Sequence, residues 1–377
     1  MTRSRLLFVA LITVGFVAGA AAFRSSSLST STSASLAPGS LSPASPMLQP
    51  RSGHTATLLA NGKVLVVGGM RRNQDFYKTA ELYDPATGKF QTTGEMSVGR
   101  VGHVAVLLRS GEVLIAGGWI GGHDTTDEVE LYDPATGKFT VISKMTTRRA
   151  RPSATMLANG NVLIAGGEDH DARDAAIASA EIFDADTLRF RPTGALHRAR
   201  SGQTATLLND GRVLMAGGGS TVLLAGAELY DPKTGTFSET GSLITARNKH
   251  TAGLLPDGRV LIAGGSDQRD WNGNLSSAEI YDPRTGKFSA AASLNESRFK
   301  LPDEAVQLPL GRLLIAGGSK QAEIFDPVSG TFSLVAGQMN DRWHYMSETK
   351  LPDGRVLLAG GYPNNDQTTN QAWIYQP

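Results

Sequence analysis

The stretch His54-Thr55-Ala56-Thr57-Leu58-Leu59-Ala60-Asn61-Gly62-Lys63-Val64-Leu65-Val66-Val67-Gly68-Gly69 decides the fold. His54 to Leu59 reads as a strand. Asn61-Gly62 is the strongest two-residue hairpin signal, because a type I′ turn needs positive φ. Lys63 to Val67 is a second strand rich in Val and Leu, and Gly68-Gly69 ends it where a side chain would crowd a neighbouring backbone. After a variable loop, Ala80 to Tyr83 forms a third strand. Asp84-Pro85-Ala86-Thr87-Gly88 then turns the chain, Pro fixing φ and Gly taking the left-handed position. Phe90 opens a fourth strand that ends near Met96. Four such strands make one propeller blade.

The same unit recurs along the chain. Gly-Gly doublets begin at Gly68, Gly117, Gly166, Gly217, Gly264, Gly317 and Gly360, with spacings of 49, 49, 51, 47, 53 and 43 residues. A period near 50 marks a propeller or array of kelch type. Aromatic pairs keep a constant spacing of seven: Tyr83 and Phe90, Tyr132 and Phe139, Phe183 and Phe190, Tyr230 and Phe237, Tyr281 and Phe288, Phe325 and Phe332. They are expected to pack between adjacent blades.

The last repeat stops at Pro377 without a fourth strand. The segment Ser40 to Met47 precedes the first repeat, and Met47 leads to Arg51 as Met96 leads to Arg100. The N-terminal segment is therefore expected to complete the seventh blade and leave no open sheet edge. The fold expected is all-β, a seven-bladed propeller of four-stranded blades over 40–377.

Upstream, Arg3 and Arg5 precede an uncharged run from Leu6, and Ala20-Ala21-Ala22 offers small residues for cleavage. Residues 1–22 read as a signal peptide, and the Ser-rich 23–39 as a flexible linker. The expected location is secreted or periplasmic; the alternative is an uncleaved membrane anchor. The chain has 36 basic and 35 acidic residues, so no charge excess points to nucleic acid, and it has no cysteine, which removes disulfides, thiolate metal sites and thiol nucleophiles.

These repeats resemble the kelch family over about 335 of the 377 positions. Segments such as Gly111-Glu112-Val113-Leu114-Ile115-Ala116-Gly117-Gly118-Trp119 are similar to the propeller of galactose oxidase and its bacterial relatives. The resemblance implies the fold more than the activity. Galactose oxidases hold copper with two tyrosines and two histidines, one tyrosine being cross-linked to a cysteine. Without cysteine that link cannot form, and the family's Tyr-His pair has only a reversed echo in His344-Tyr345. Copper radical chemistry, and any cofactor, is therefore not expected. The sialic-acid mutarotase, an exported kelch protein with six blades, leaves a sugar-handling role open.

The long loops after Gly-Gly, with the segments leading into each first strand, form the expected functional face. Arg51, Arg100, Arg149, Arg200, Arg247 and Arg298 occupy equivalent positions there, and Arg342 sits one residue early. They suit either of two roles. One is a ring of cations for an anionic sugar or carboxylate. The other, favoured, is ion pairing with the repeated Glu81, Glu130, Glu181, Glu228, Glu279 and Glu323. Histidines recur at His54, His103 and His250, with Gln203 in the matching place; they are read as satisfied inner-strand residues rather than metal ligands. The oxygen-rich loops around Glu168 to Asp174 and Asp267 to Asn274 are read as solvated. Trp119, Trp271, Trp343, Tyr345 and Tyr362 are candidates to stack on a sugar or anchor a partner. No nucleophile elbow, phosphate loop or zinc-protease motif occurs.

The primary expectation is an exported, monomeric, non-enzymatic module that recognises a protein or glycan through this face. The alternative is a sugar-processing enzyme, mutarotase-like, epimerase-like or hydrolytic, using arginine and histidine at the channel mouth. Geometry separates the two: an enzyme needs titratable groups converging in a pocket, a platform only an exposed apolar or aromatic patch.

Overall fold

The first blade consists of Thr55–Leu58, Val64–Val67, Thr79–Asp84 and Lys89–Glu95, hydrogen-bonded in that order as an antiparallel sheet. The second strand is buried along its whole length, because neighbouring blades cover both its faces. That explains an unbroken apolar run where a one-faced sheet would alternate. In the Asp84 turn, the carboxylate accepts the N–H of Ala86 at 2.9 Å, and Gly88 takes φ of 68°.

The computed structural model describes residues 37–72, 75–121, 124–169, 175–363 and 367–377. Among them are seven four-stranded antiparallel sheets. The expected signal peptide and all but the end of the Ser-rich linker lie outside the described residues, as do His170, Asp171 and Asp174. No helix among the described residues is long and apolar enough to cross a membrane.

The seventh blade is split between the chain ends. Ser347–Lys350, Val356–Ala359 and Ala372–Gln376 supply three strands, and Ser40–Ala44 supplies the outermost. Register runs antiparallel from Ser40 opposite Gln376 to Ala44 opposite Ala372. Met47 follows the strand and is 1% exposed, packed with Tyr83, Phe90, Leu351 and Leu357 between the last and first blades.

The core is divided accordingly. Each blade junction holds one apolar cluster, seven in all. The aromatic pairs belong to these clusters but also face each other across the third and fourth strands of one blade, as Tyr83 does Phe90 with centroids 4.9 Å apart. Three of the tyrosines reach the preceding blade through the hydroxyl, Tyr132 to Thr93 at 2.9 Å, Tyr230 to Thr193 at 2.8 Å and Tyr281 to Thr240 at 2.9 Å.

The sixth blade departs from the others. Its first strand is only Val306–Gln307, because Arg298 and Gly317 are 19 residues apart where each other arginine precedes its glycine by 17. The two extra residues push Pro302-Asp303-Glu304 inward. There Ala252 of the fifth blade donates its N–H to the Asp303 carbonyl at 3.1 Å and accepts that of Ala305 at 2.9 Å. The inserted segment lies between two cavities of the central channel, about 360 Å³ and about 400 Å³, and Asp303 and Glu304 line both.

Candidate functional site

The expected arginine ring is structural. Arg51, Arg100, Arg149, Arg247 and Arg298 are 0% exposed and Arg200 1%. Each guanidinium meets the glutamate of its own blade: Glu81 at 2.7 Å, Glu130 at 2.7 Å, Glu181 at 2.8 Å, Glu228 at 2.7 Å, Glu279 at 2.8 Å and Glu323 at 2.6 Å. The same glutamates accept backbone N–H groups of the crossing segment, as Glu81 does those of Leu48 at 2.7 Å and Gln49 at 3.1 Å. Each pair thus fastens the crossover to the blade it enters. Burial pulls the arginines below their ordinary basicity while the glutamates oppose it. With their charge neutralised inside the wall, these residues do not bind a ligand, which corrects the anion-ring reading.

Arg342 is exposed and outside the series. Trp343 takes the seventh position: its carbonyl accepts the Gly318 N–H at 2.8 Å, as that of Arg100 accepts the Gly69 N–H at 2.9 Å. Its ring packs against Trp373, which replaces the glutamate, with centroids 6.0 Å apart. Trp343, 6% exposed, is therefore a core residue rather than a binding one.

The histidines do not converge either. His54 meets the Ser347 hydroxyl at 2.9 Å, His103 that of Thr55 at 2.9 Å and His250 that of Thr204 at 3.0 Å. Each clips one inner strand to the preceding blade. Burial pushes all three down to about 3, so they are neutral. The oxygen-rich loops are also committed: Asp169 accepts the Thr125 hydroxyl at 2.7 Å, Asp267 pairs with Arg269 at 2.6 Å and Asp270 with Lys249 at 2.6 Å.

The site lies two residues beyond the arginines. At these positions stand Gly53, Gly102, Arg151, Gly202, Lys249 and Lys300, with Tyr345 following Trp343. All seven are left-handed, with φ between 50° and 65°. The reason is a backbone collar around the mouth. Gly53 donates its N–H to Tyr345, Gly102 to Gly53, Arg151 to Gly102, Lys249 to Gly202 and Tyr345 to Lys300, at 2.7 to 3.4 Å. This conformation suits glycine and strains other residues by roughly 1–2 kcal/mol, yet four blades carry a large side chain there. Strain held in place by surrounding structure clusters at functional sites.

Six of the seven line the cavity of about 360 Å³, with Asp303, Glu304 and Glu348. Arg151 donates to the Tyr345 hydroxyl, lies over that ring at 5.3 Å and over Trp119 at 5.7 Å, and is 3.7 Å from Glu168. Burial opposes its charge, but Tyr345, Glu168 and Asp303 outweigh this and raise its pKa. Lys300 turns aside beneath Trp271, its ammonium 3.5 Å from the ring centroid, and donates to the Tyr362 hydroxyl at 2.7 Å. Trp271, 39% exposed, packs edge-on against Phe299 and His344.

The carboxyl groups differ in setting. Asp303 stands inside the channel, lining both cavities, with its side chain exposed to the channel. Enclosure raises it to about 6 against the pull of Arg151, and Glu304 shifts the same way. Glu348 stands where the first five blades have Ala56, Ala105, Ala154, Ala205 and Ala252. One of its oxygens accepts the Ala316 N–H at 3.0 Å, a donor stranded by the shortened first strand of the sixth blade. The other meets no protein donor. Burial raises this group to about 8.

Three stretches, 50–97, 100–146 and 249–295, match the Kelch motif family. No curated protein matches the chain. Among solved structures, a fungal alcohol oxidase with catalytic diversity among the AA5 family, in complex with copper, superposes with a TM-score of 0.73 at 18% identity, covering 90% of this chain and 76% of that one. The donor set at the mouth does not fit a copper centre of the kind the galactose-oxidase resemblance implies. The Tyr345 and Tyr362 hydroxyls are each hydrogen-bonded to a cation, His54, His103 and His250 sit in separate blades, each bound to a hydroxyl of the blade before it, and cysteine is absent. No cluster of three His, Cys, Asp or Glu able to hold a metal occurs among the described residues.

The expectation of a non-enzymatic binding module is contradicted on two counts: a solved structure that shares this fold is that of an enzyme, and one cavity at the mouth is lined by several titratable groups with shifted pKa values, the arrangement expected of an enzyme rather than a platform. The chain is a kelch-repeat, seven-bladed β-propeller that structurally resembles the galactose- and alcohol-oxidase propellers.

Proposed function

We propose that the chain is an exported enzyme performing acid–base chemistry on a saccharide at the channel mouth, of the mutarotase or epimerase kind. The observation that carries this reading is the enclosure of Asp303, Glu348, Arg151 and Tyr345 in one cavity of about 360 Å³, a volume within the range of small-molecule sites. Two carboxyl groups pushed to different values, about 6 and about 8, supply a base and an acid at neutral pH. The basic n-region and the Ala20-Ala21-Ala22 site support export.

In this reading Asp303 takes the proton of the anomeric hydroxyl and Glu348 gives one to the ring oxygen. The bond between the anomeric carbon and the ring oxygen breaks, and a carbonyl forms. After rotation the steps reverse, so atoms and charge balance without a co-reactant. Arg151 stabilises negative charge developing on the substrate oxygen. Burial raises Tyr345 to about 12, which keeps its hydroxyl protonated; it accepts from Arg151 and keeps its own proton to donate. The test is polarimetry on freshly dissolved pyranoses with the purified protein. Accelerated anomer exchange is expected. No acceleration for any pyranose, with release of a leaving group from aryl glycosides, would replace this reaction by hydrolysis.

A further inference from the structure

Trp271 is the only exposed aromatic side chain among the described residues. It stands on the long loop of the fifth blade, in the short helical turn Asp270–Asn272. Leaving an indole in water is unfavourable, yet the loop is built to hold it there. Asp267 accepts the Arg269 N–H at 2.9 Å and donates its own N–H to the Gly273 carbonyl at 3.0 Å. Gln268 is clamped to the loop of the fourth blade, donating to the Thr221 carbonyl at 2.8 Å and accepting from the Leu223 N–H at 2.9 Å. Asp270 takes a left-handed φ of 48°, a conformation that strains a residue other than glycine. Its carboxylate is held by Lys249 at 2.6 Å, and Lys249 lines the mouth cavity.

The ring is braced from the protein side as well. The Lys300 ammonium lies 3.5 Å from its centroid, and Phe299 and His344 meet it edge-on at 5.0 and 5.2 Å. The same ammonium lies 5.7 Å from the centroid of Tyr345, a residue of the cavity wall. One side chain therefore spans from the exposed indole to that wall, and Trp271 flanks the opening without lining the cavity itself. A ring already immobilised loses little conformational freedom when a ligand covers it. Its flat apolar surface, with an N–H at the edge, suits a pyranose, which has an apolar C–H face and hydroxyls at its rim.

The cavity of about 360 Å³ is near the lower end of small-molecule sites, the scale of one sugar ring. With the anomeric hydroxyl at Asp303, on the segment that closes the cavity off from the one below, any further ring has to lead outward past the mouth. We infer that the substrate is the reducing end of a di- or oligosaccharide, its first ring in the cavity and the next stacked on Trp271. This rests on the saccharide reading above and specifies its substrate class. A free monosaccharide fills the inner position only.

The test is equilibrium binding, which needs no turnover. Glucose with maltose and cellobiose, and galactose with galactobiose, are titrated into the purified protein, with calorimetry and tryptophan fluorescence as readouts. At least one disaccharide is expected to bind about tenfold more tightly than the monosaccharide of its reducing end, the scale of one stacking contact, and to change the tryptophan emission. Trp271→Leu, which lacks the flat ring, is expected to bring that disaccharide to parity with the monosaccharide, and Trp271→Phe to retain part of the advantage. Equal affinity for mono- and disaccharides in the wild type, which needs no variant to fold, would overturn the inference and leave the acid–base reading standing. So would an undiminished disaccharide advantage in Trp271→Leu. Absence of binding by every sugar would overturn both.

Discussion

Arg151 of the third blade and Tyr345 of the seventh meet across the channel mouth, the guanidinium donating to the phenol oxygen and lying 5.3 Å from the ring centroid. They are 194 residues apart in sequence, and both are left-handed, at φ of 50° and 51°. The same backbone collar that joins neighbouring blades brings these two side chains together at a cavity that Asp303 and Glu348 also line. Arg151→Lys keeps the charge but removes the forked donor. It is expected to lower kcat/KM for saccharide turnover by more than it lowers Tm, as read by polarimetry and thermal denaturation.

The two carboxyl groups set the pH dependence. Asp303 must be ionised to act as base, so the rate is expected to rise as pH passes about 6. Glu348 must be protonated to act as acid, so the rate is expected to fall as pH passes about 8. A bell-shaped kcat/KM profile between these values is the expected outcome, and Glu348→Gln should remove the alkaline limb.

Glu348 also links stability to pH. Its folded value, raised to about 8 from an ordinary 4.5, means that its contribution is fully present below the ordinary value and is lost as pH rises through the folded one. Wild-type Tm is therefore expected to fall relative to Glu348→Gln between about pH 5 and 8. The glutamine carbonyl retains the hydrogen bond from Ala316.

The buried ion pairs are expected to behave asymmetrically. Glu181→Ala strands the Arg149 guanidinium in the wall and should cost about 3–5 kcal/mol in denaturant unfolding, whereas Arg149→Met with Glu181→Leu should cost much less. Equal losses would show that the pair itself, and not the uncompensated charge, holds the crossover.

Closure of the ring is testable at Met47, which is 1% exposed between the last and first blades. Met47→Ala is expected to cost about 2–5 kcal/mol, and removal of Ser40 to Met47 to cost more, with loss of the outer strand of the seventh blade. Unchanged thermal stability after that deletion would contradict closure by the N-terminal strand.

The repeated parts of this molecule were legible in its sequence, and the unrepeated parts were not. Seven Gly-Gly doublets and the Met47-to-Arg51 step identified the blades and their closure, because the same steric need recurs at every junction. The arginine and glutamate columns were visible, but only the structure shows the guanidinium groups inside the wall. The mouth was obscured because its signal is variation within a column. Glycine at 53, 102 and 202 hides its equivalence to Arg151, Lys249, Lys300 and Tyr345 until the backbone is seen. Two marks were present all the same. The interval from Arg298 to Gly317 is 19 residues where the others are 17, and Glu348 stands in a register of alanines. Both point to Asp303 and Glu348, which no motif names. Trp343 was misplaced for a related reason, since an aromatic pair replaces the ion pair only in the seventh blade.

The most direct measurement is the rate of anomer exchange for wild type and Asp303→Asn at pH 7, with Tm recorded for both. The backbone carbonyl of Asp303 that accepts from Ala252 is kept by asparagine, so the variant is expected to fold normally. Loss of about a hundredfold or more in rate is predicted, the scale of a lost general base, with Tm unchanged or raised, since a carboxyl whose folded pKa is raised to about 6 destabilises the fold when ionised at pH 7. Full activity in Asp303→Asn, with Tm unchanged, would contradict an acid–base site at the channel mouth.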